Sequence, residues 1–99
     1  MYNIIIDIHF TWDEEKNRSN QKKHGISFEE AETVFYDDDA LLKYDEAHPL
    51  DEERFVMLGM SKASRILVVC HCCRTGGVLR LISARKATRR EESQYWERL

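Results

Sequence analysis

The chain has 99 residues, of which 42% are hydrophobic, and a formal net charge of −3 at pH 7. This length fits one small domain over residues 1–99, and a content of only four glycines excludes a Rossmann-type dinucleotide binder. No stretch approaches the roughly 18 consecutive apolar residues that a membrane span needs. The apolar residues 2–10 lack a basic leader, so we expect a compact, soluble domain with no membrane partner.

Charge is distributed unevenly along the chain. Residues 27–53 hold eleven acidic residues and one basic residue, whereas residues 54–99 hold ten basic and three acidic residues. This asymmetry fits a basic face for a polyanion, with an acidic segment elsewhere in the same domain. It fits equally well an ordinary surface on which opposite charges neutralise each other once the chain folds.

The first third of the chain is predicted to form a strand and a helix. Residues 3–10 mix β-branched and aromatic side chains, a pattern typical of a strand. A capping box of Thr11 and Glu14 predicts where the helix begins. Gly25 predicts where it ends, because glycine adopts the left-handed conformation without a steric penalty.

A second, shorter helix is predicted next. Ser27 and Glu30 form a capping box, and the apolar residues that follow at helical spacing lie on one face. The three aspartates at 37–39 end this helix in what we expect to be a solvated loop. A short strand at residues 41–44 is an option in the otherwise irregular segment 41–53.

Three strands are predicted in the basic half, over residues 54–61, 65–73 and 78–84. The turns between them are short, which requires antiparallel neighbours, and the Gly76–Gly77 pair supplies the positive φ angles of the second turn. The cysteines at positions 70, 72 and 73 lie on the middle strand.

This cysteine cluster does not suggest a disulfide or a metal site. A disulfide framework needs spaced pairs, so the cluster indicates a reducing, cytoplasmic setting. A structural zinc site needs four ligands at wider spacing, whereas strand alternation sends Cys70 and Cys72 to one face and His71 and Cys73 to the other. We therefore expect no metal and no cofactor.

A closing helix completes the predicted fold. Thr88 and Glu91 form its capping box, and its spacing turns Tyr95, Trp96 and Leu99 toward the sheet. The predicted element order is β-α-α-β-β-β-α. This is an α+β fold in which an antiparallel β-sheet carries two N-terminal helices and a C-terminal helix.

Arg80 is the most informative charged residue. It lies inside the apolar strand 78–84, and burying an unpaired guanidinium is costly, so it needs a carboxylate partner or an anionic ligand. Glu53 and Glu92 are candidate partners. Arginines also stand at the ends of the predicted strands, at positions 54, 65 and 85. Arginines that converge at one rim would make a phosphate site, because the planar guanidinium matches phosphate oxygens in pairs.

His24 is the one histidine with a distinctive local setting. It lies in the last turn of the first helix, where the helix dipole stabilises positive charge, and imidazole exchanges protons near neutral pH. It is therefore a candidate for proton transfer. A role limited to the helix dipole explains its position equally well.

Four segments together resemble the BrnT family of toxins. They are residues 10–17 (FTWDEEKN), 23–31 (KHGISFEEA), 52–55 (EERF) and 81–88 (LISARKAT). The resemblance implies a RelE-like fold and a cytoplasmic ribonuclease that arrests translation. It also implies a BrnA-like antitoxin as partner, with operator DNA bound only through the toxin–antitoxin complex.

The mechanism implied by this resemblance is metal-free cleavage of RNA, in which the 2′-hydroxyl attacks the adjacent phosphate. Such a reaction needs groups that move protons and cations that stabilise the phosphorane. Our hypothesis assigns catalysis to Arg80, Arg65, His24 and Glu53. It assigns binding of the RNA backbone to Lys23, Arg54 and Arg85.

Two other functions are compatible with the sequence. One is a catalytically inactive adaptor of the same fold that binds only a partner protein. The other is a small nucleic-acid-binding module, which is expected to show exposed aromatic residues among basic ones. The basic half contains only Phe55, Tyr95 and Trp96, and all three fit core positions, so the module ranks behind the ribonuclease and the adaptor.

Overall fold

The computed structural model describes residues 8–45 and 53–99, which form a sheet with three helices. In chain order the elements are β1 (His9–Thr11), α1 (Glu14–His24), α2 (Phe28–Thr33), β2 (Leu41–Asp45), β3 (Arg54–Met60), β4 (Ile66–Arg74), β5 (Val78–Lys86) and α3 (Arg89–Glu97). A single turn of 3-10 helix follows α2, and another joins β4 to β5. The described strands form one sheet in the order β1-β5-β4-β3-β2, so the predicted α+β class is confirmed.

The predicted element order and sheet type need correction. The order β-α-α-β-β-β-α leaves out β2, which forms at residues 41–45 and pairs antiparallel with β3. The sheet is mixed, because β1 runs parallel to β5, with Phe10 opposite Leu79. Parallel strands are not joined by a short turn, so the sequence contains no local signal for the pairing of β1 with β5. Most of the strand predicted at residues 3–10 lies outside the described residues.

Helix α1 begins two residues later than the predicted cap. Thr11 is the last residue of β1, and Asp13 caps the helix instead, its Oδ1 accepting a hydrogen bond from the Glu15 N–H at 2.9 Å. Gly25 ends the helix as predicted, with φ of 72° and its N–H donating to the Gln21 carbonyl at 2.9 Å.

The other two predicted caps form, one of them only in part. The Ser27 hydroxyl accepts from the Glu30 N–H at 3.1 Å, but the Glu30 carboxylate turns away from the cap to Arg65. At α3, the Thr88 hydroxyl accepts from the Glu91 N–H, and the Glu91 carboxylate accepts from the Thr88 N–H in return.

Apolar residues fill both faces of the sheet. On the face covered by α2, which we call the α2 face, Leu67, Val69 and Leu81 are buried against α2 and the segment leading into it. On the opposite face, which we call the α3 face, Leu58, Ile66 and Val68 are buried against Tyr95 of α3. The predicted inward position of Trp96 and Leu99 is wrong, because their side chains are 51% and 57% exposed.

Asp37 corrects the prediction of a solvated loop. Its Oδ2 accepts a hydrogen bond from the Met60 N–H at 2.8 Å and another from the Tyr95 hydroxyl at 2.7 Å. Burial acts to raise the pKa of Asp37, but these hydrogen bonds outweigh burial and lower it. The carboxylate therefore ties the turn after α2 to both β3 and α3.

Candidate active site

Two of the predicted site residues lie in the same row on one face of the sheet. Arg54 of β3 and Arg80 of β5 both stand opposite Cys72 of β4 in the strand register. Directly opposed residues project to the same face, so we call Arg54, Cys72 and Arg80 the arginine row. The two arginines are separated by two strand spacings, roughly 10 Å between Cα atoms.

The arginine row lies on the α3 face, because Cys72 alternates along β4 with the buried Val68 of that face. Arg54 and Arg80 are partly exposed. Among the residues that the structure describes, no carboxylate forms an ion pair with Arg80, whereas Asp45 of β2 stands directly opposite Arg54 in the strand register. Neither Glu53 nor Glu92 is the partner that a structural role for Arg80 would require.

The other two predicted arginines are held by carboxylates. The Arg65 guanidinium binds Glu30 of α2 through two nitrogens, the Nε to Oε2 contact measuring 3.0 Å. The Arg85 guanidinium binds Glu91 of α3 at 2.7 and 2.9 Å. Both pairs belong to the end of the sheet where β4 begins and β5 ends, so the fold does not bring Arg65 or Arg85 to the arginine row.

Lys23 and His24 lie beside the strand that carries Arg80. A pocket of about 170 Å³ between α1 and β5 is lined by Lys16, Ser19, Lys23, His24 and Ser83, among others. Ser83 stands opposite Cys70, the next α3-face position on β4 after Cys72. The pocket therefore borders the arginine row along β5.

Glu53 directly precedes Arg54 in the chain. It is exposed, and its charge, after burial, is the second influence that raises the pKa of the Cys73 thiol. Cys73 is on the opposite face of β4 from Cys72 by strand alternation. The register therefore groups Arg54 with Arg80, and the pocket that contains Lys23 and His24 lies along the strand of Arg80, whereas the charge of Glu53 acts on Cys73 of the opposite face.

A comparison with family models gives a match over residues 12–91 to a family described as "Ribonuclease toxin, BrnT, of type II toxin-antitoxin system". The chain belongs to the BrnT family. It is similar to the crystal structure of the Brucella abortus ribonuclease toxin BrnT, with 25% sequence identity, a TM-score of 0.66, and coverage of 84% of this chain and 100% of that chain. A comparison with curated proteins gives no match.

Membership of the BrnT family identifies the chain as a ribonuclease toxin of a type II toxin–antitoxin system, with an antitoxin as partner. The matched segment includes the whole arginine row and the α1 pocket. Within residues 8–45 and 53–99, no group of three His, Cys, Asp or Glu side chains is arranged to hold a metal ion. None of the helices described for this BrnT-family toxin is long and apolar enough to cross a membrane.

Several residues at the site of this BrnT-family toxin were not predicted. Lys16, Ser19 and Ser83 line the pocket, and Asn20 fixes α1 to β5 through hydrogen bonds to Ala84. One sequence signal was available, since α1 contains no apolar residue (EEKNRSNQKKH). A helix with no apolar stripe has no core to join, which indicates that its side chains serve another purpose.

The Arg85–Glu91 pair predicts a specific dependence of stability on pH. The hydrogen bonds from Arg85, opposed by partial burial and aided by Thr88, lower the pKa of Glu91 from 4.5 to about 2. A lowered carboxyl pKa stabilises the fold above pH 4.5, and this stabilisation is lost as the pH falls through about 2. Arg85 is 42% exposed, so solvent screening keeps the contribution at about 0.5–1 kcal/mol.

We expect Glu91→Gln to lower the free energy of unfolding by that amount at pH 7, because the amide keeps the capping acceptor but loses the charge. The difference from the unsubstituted protein should shrink as the pH is lowered from 4.5 toward 2. Urea unfolding followed by circular dichroism at several pH values measures it. Glu92 also lies in the first turn of α3, so Glu92→Gln is the matched control for the loss of a negative charge at the positive end of the helix dipole. An equal loss of unfolding free energy in both variants would contradict the role of the ion pair.

Proposed function

We propose that this BrnT-family toxin is an endoribonuclease that cleaves RNA without a metal ion. The 2′-oxygen of the substrate forms a bond to the adjacent phosphorus as the bond from phosphorus to the 5′-oxygen breaks, which leaves a 2′,3′-cyclic phosphate. A base takes the proton from the 2′-hydroxyl, and an acid gives one to the departing 5′-oxygen. The arginine row, in which Arg80 has no described carboxylate partner and Arg54 lies two strands away on the same face, carries this proposal.

Arg80 and Arg54 are the residues to which we assign the phosphate. Guanidinium groups donate paired hydrogen bonds to phosphate oxygens, and two fixed positive charges stabilise the charge that accumulates on the phosphorane. These charges supply the electrostatic stabilisation that a metal ion would otherwise give.

We assign proton transfer to His24 and a backbone contact to Lys23. The support is that both line a pocket shared with Ser83, three residues beyond Arg80 on the same strand. Glu53 receives no role in this scheme, since its charge acts on Cys73 of the opposite face. We propose that Arg65 and Arg85 stabilise the fold through Glu30 and Glu91.

The wider proposal follows the family. We infer a single RelE-like domain that acts on RNA in the cytoplasm and inhibits translation. We further infer that a BrnA-like antitoxin neutralises the toxin and that operator DNA is contacted only through their complex. The mixed sheet carrying two N-terminal helices supports the RelE-like assignment.

Incubation of the purified toxin with RNA in EDTA tests the activity, with Arg80→Ala purified in parallel to detect contaminating nucleases. The expected result is cleavage that EDTA does not abolish, with products that end in a 2′,3′-cyclic phosphate, and much slower cleavage by the variant. Cleavage only after addition of a divalent metal would reject the metal-free mechanism. A gel shift without cleavage would favour the nucleic-acid-binding module, and absence of both would favour the adaptor.

A further inference from the structure

Helix α1 is unusual because it contains no apolar side chain. Of its residues Glu14–His24, only Asn17 and Asn20 are buried. Helices in small domains gain most of their stability by packing an apolar stripe, and an isolated helix of this length is marginal in water. The composition of α1 therefore does not follow from the needs of the core.

Polar side chains hold α1 against the rest of the fold. The Asn20 Nδ2 donates to the carbonyls of Ala84 at 2.7 Å and Ile26 at 2.8 Å, and its Oδ1 accepts from the Ala84 N–H at 3.1 Å. The Asn17 Oδ1 accepts from the Phe28 N–H at 2.9 Å. This attachment sets α1 against the edge of β5 and leaves its charged side chains exposed.

The pocket between α1 and β5 has the chemistry of an anion site. Besides Asn20 and Ile82, its lining residues carry ammonium groups (Lys16 and Lys23), an imidazole (His24) and hydroxyls (Ser19 and Ser83). All of these groups can donate hydrogen bonds. No acidic residue is among the described residues that line the pocket. A lysine binds phosphate as a point charge, and a hydroxyl adds a directed donor.

We propose that this pocket is a second phosphate subsite, which holds an RNA phosphate next to the one bound by Arg80 and Arg54. The proposal rests on the RNA substrate inferred above. It adds Lys16, Ser19 and Ser83 to the RNA-binding surface and explains why α1 is polar on every side.

The spacing of the two subsites supports a single RNA strand across both. On β4, Cys70 and Cys72 mark the α3-face positions opposite Ser83 and Arg80. Alternate residues of a strand lie about 7 Å apart, which is comparable with the separation of successive phosphates in single-stranded RNA. A strand whose scissile phosphate meets the arginine row therefore brings a neighbouring phosphate to Lys16 and Lys23.

The subsite is tested by measuring the affinity for a 2′-O-methyl RNA oligonucleotide at several salt concentrations. This RNA binds without being cleaved, because its 2′-oxygens are methylated and cannot attack the phosphate. Each neutralised phosphate of a single strand contributes about 0.7 to the slope of log affinity against log salt concentration. We expect Lys16→Ala to weaken binding several-fold at low salt and to reduce that slope by about 0.7. Lys16→Arg should keep the slope. Lys62→Ala removes an exposed lysine from the turn between β3 and β4 and is the matched control, with no change in slope expected.

Cleavage kinetics separate this subsite from the catalytic groups. A contact made equally to substrate and transition state raises KM and leaves kcat unchanged, which is the expected behaviour of Lys16→Ala with unmodified RNA. If Lys16→Ala matches Lys62→Ala in both slope and KM while the unsubstituted toxin binds and cleaves RNA, the subsite is rejected and the proposed function stands. Failure of the unsubstituted toxin to bind RNA would reject both. Competition by inorganic phosphate at concentrations comparable with those of the RNA would assign the pocket to free phosphate instead.

Discussion

Replacing Arg80 with alanine is expected to slow RNA cleavage by about 10²–10³ while changing the free energy of unfolding by less than about 0.5 kcal/mol. The first expectation follows from the removal of a fixed positive charge next to the scissile phosphate. The second follows from the surroundings of Arg80, which is partly exposed and has no carboxylate partner among the described residues. No buried charge is left behind when it is removed.

Arg65→Ala is the matched control, because it removes the same type of side chain from a paired site. The Glu30 carboxylate, which is only 14% exposed, then loses both hydrogen bonds from Arg65. It keeps one side-chain hydrogen bond, from the Ser61 hydroxyl at 2.6 Å. We expect a loss of about 1–2 kcal/mol in unfolding free energy, limited because Arg65 is 37% exposed and solvent screens the pair. Cleavage per folded molecule should change little.

Initial cleavage rates under saturating RNA and urea unfolding curves distinguish the two arginines. Growth of cells expressing each variant without antitoxin provides the same contrast in vivo, with arrest lost for Arg80→Ala and kept for Arg65→Ala. Arrest by a well-folded Arg80→Ala protein would remove the arginine row from the mechanism. A large loss of stability in Arg80→Ala would instead mean that the residue supports the fold.

Local sequence signals predicted the elements that depend on a few neighbouring residues. Gly25 ends α1 in the left-handed conformation, and Thr88 with Glu91 begins α3 through a complete capping box. Gly76 and Gly77 take positive φ in the turn before β5. In each case the interacting groups lie within a few residues of one another, so a short stretch of sequence is enough to predict the interaction.

Long-range pairings were missed because their partners are distant in sequence. The parallel β1–β5 ladder and the Arg65–Glu30 pair join residues from separate elements. The outward position of Trp96 on α3 similarly depends on how little of that helix the sheet covers. Helical spacing identifies which residues share a face but not how wide the buried part of that face is.

The grouping of Arg54 with Arg80 in the arginine row could not be predicted from the sequence. Strand alternation correctly predicted that Cys70 and Cys72 share one face of β4. Whether Arg54 and Arg80 share that face depends on the register of β3 and β5 and on an irregularity between Cys70 and His71. A shift of one residue in either register would move a guanidinium to the other side of the sheet.

Asn20→Ala is expected to lower the free energy of unfolding by about 2–4 kcal/mol. The substitution removes the acceptor for the Ala84 N–H and the donor for the Ala84 and Ile26 carbonyls. Asn20 is buried and Ala84 is fully buried, so water cannot readily replace these hydrogen bonds. The higher helix propensity of alanine recovers only about 0.5 kcal/mol of this loss.

Hydrogen exchange at Ala84 provides the specific readout, because its amide loses its partner only if Asn20 is the group that holds α1 on β5. We expect the Ala84 amide to exchange much faster in Asn20→Ala than in Ser19→Ala, which changes an exposed neighbour on the same helix. Since α1 carries Lys16 and Lys23, the KM for RNA should rise together with this exchange rate. An unchanged exchange rate at Ala84, or a loss of stability no larger than that of Ser19→Ala, would show that α1 is held in place by other contacts.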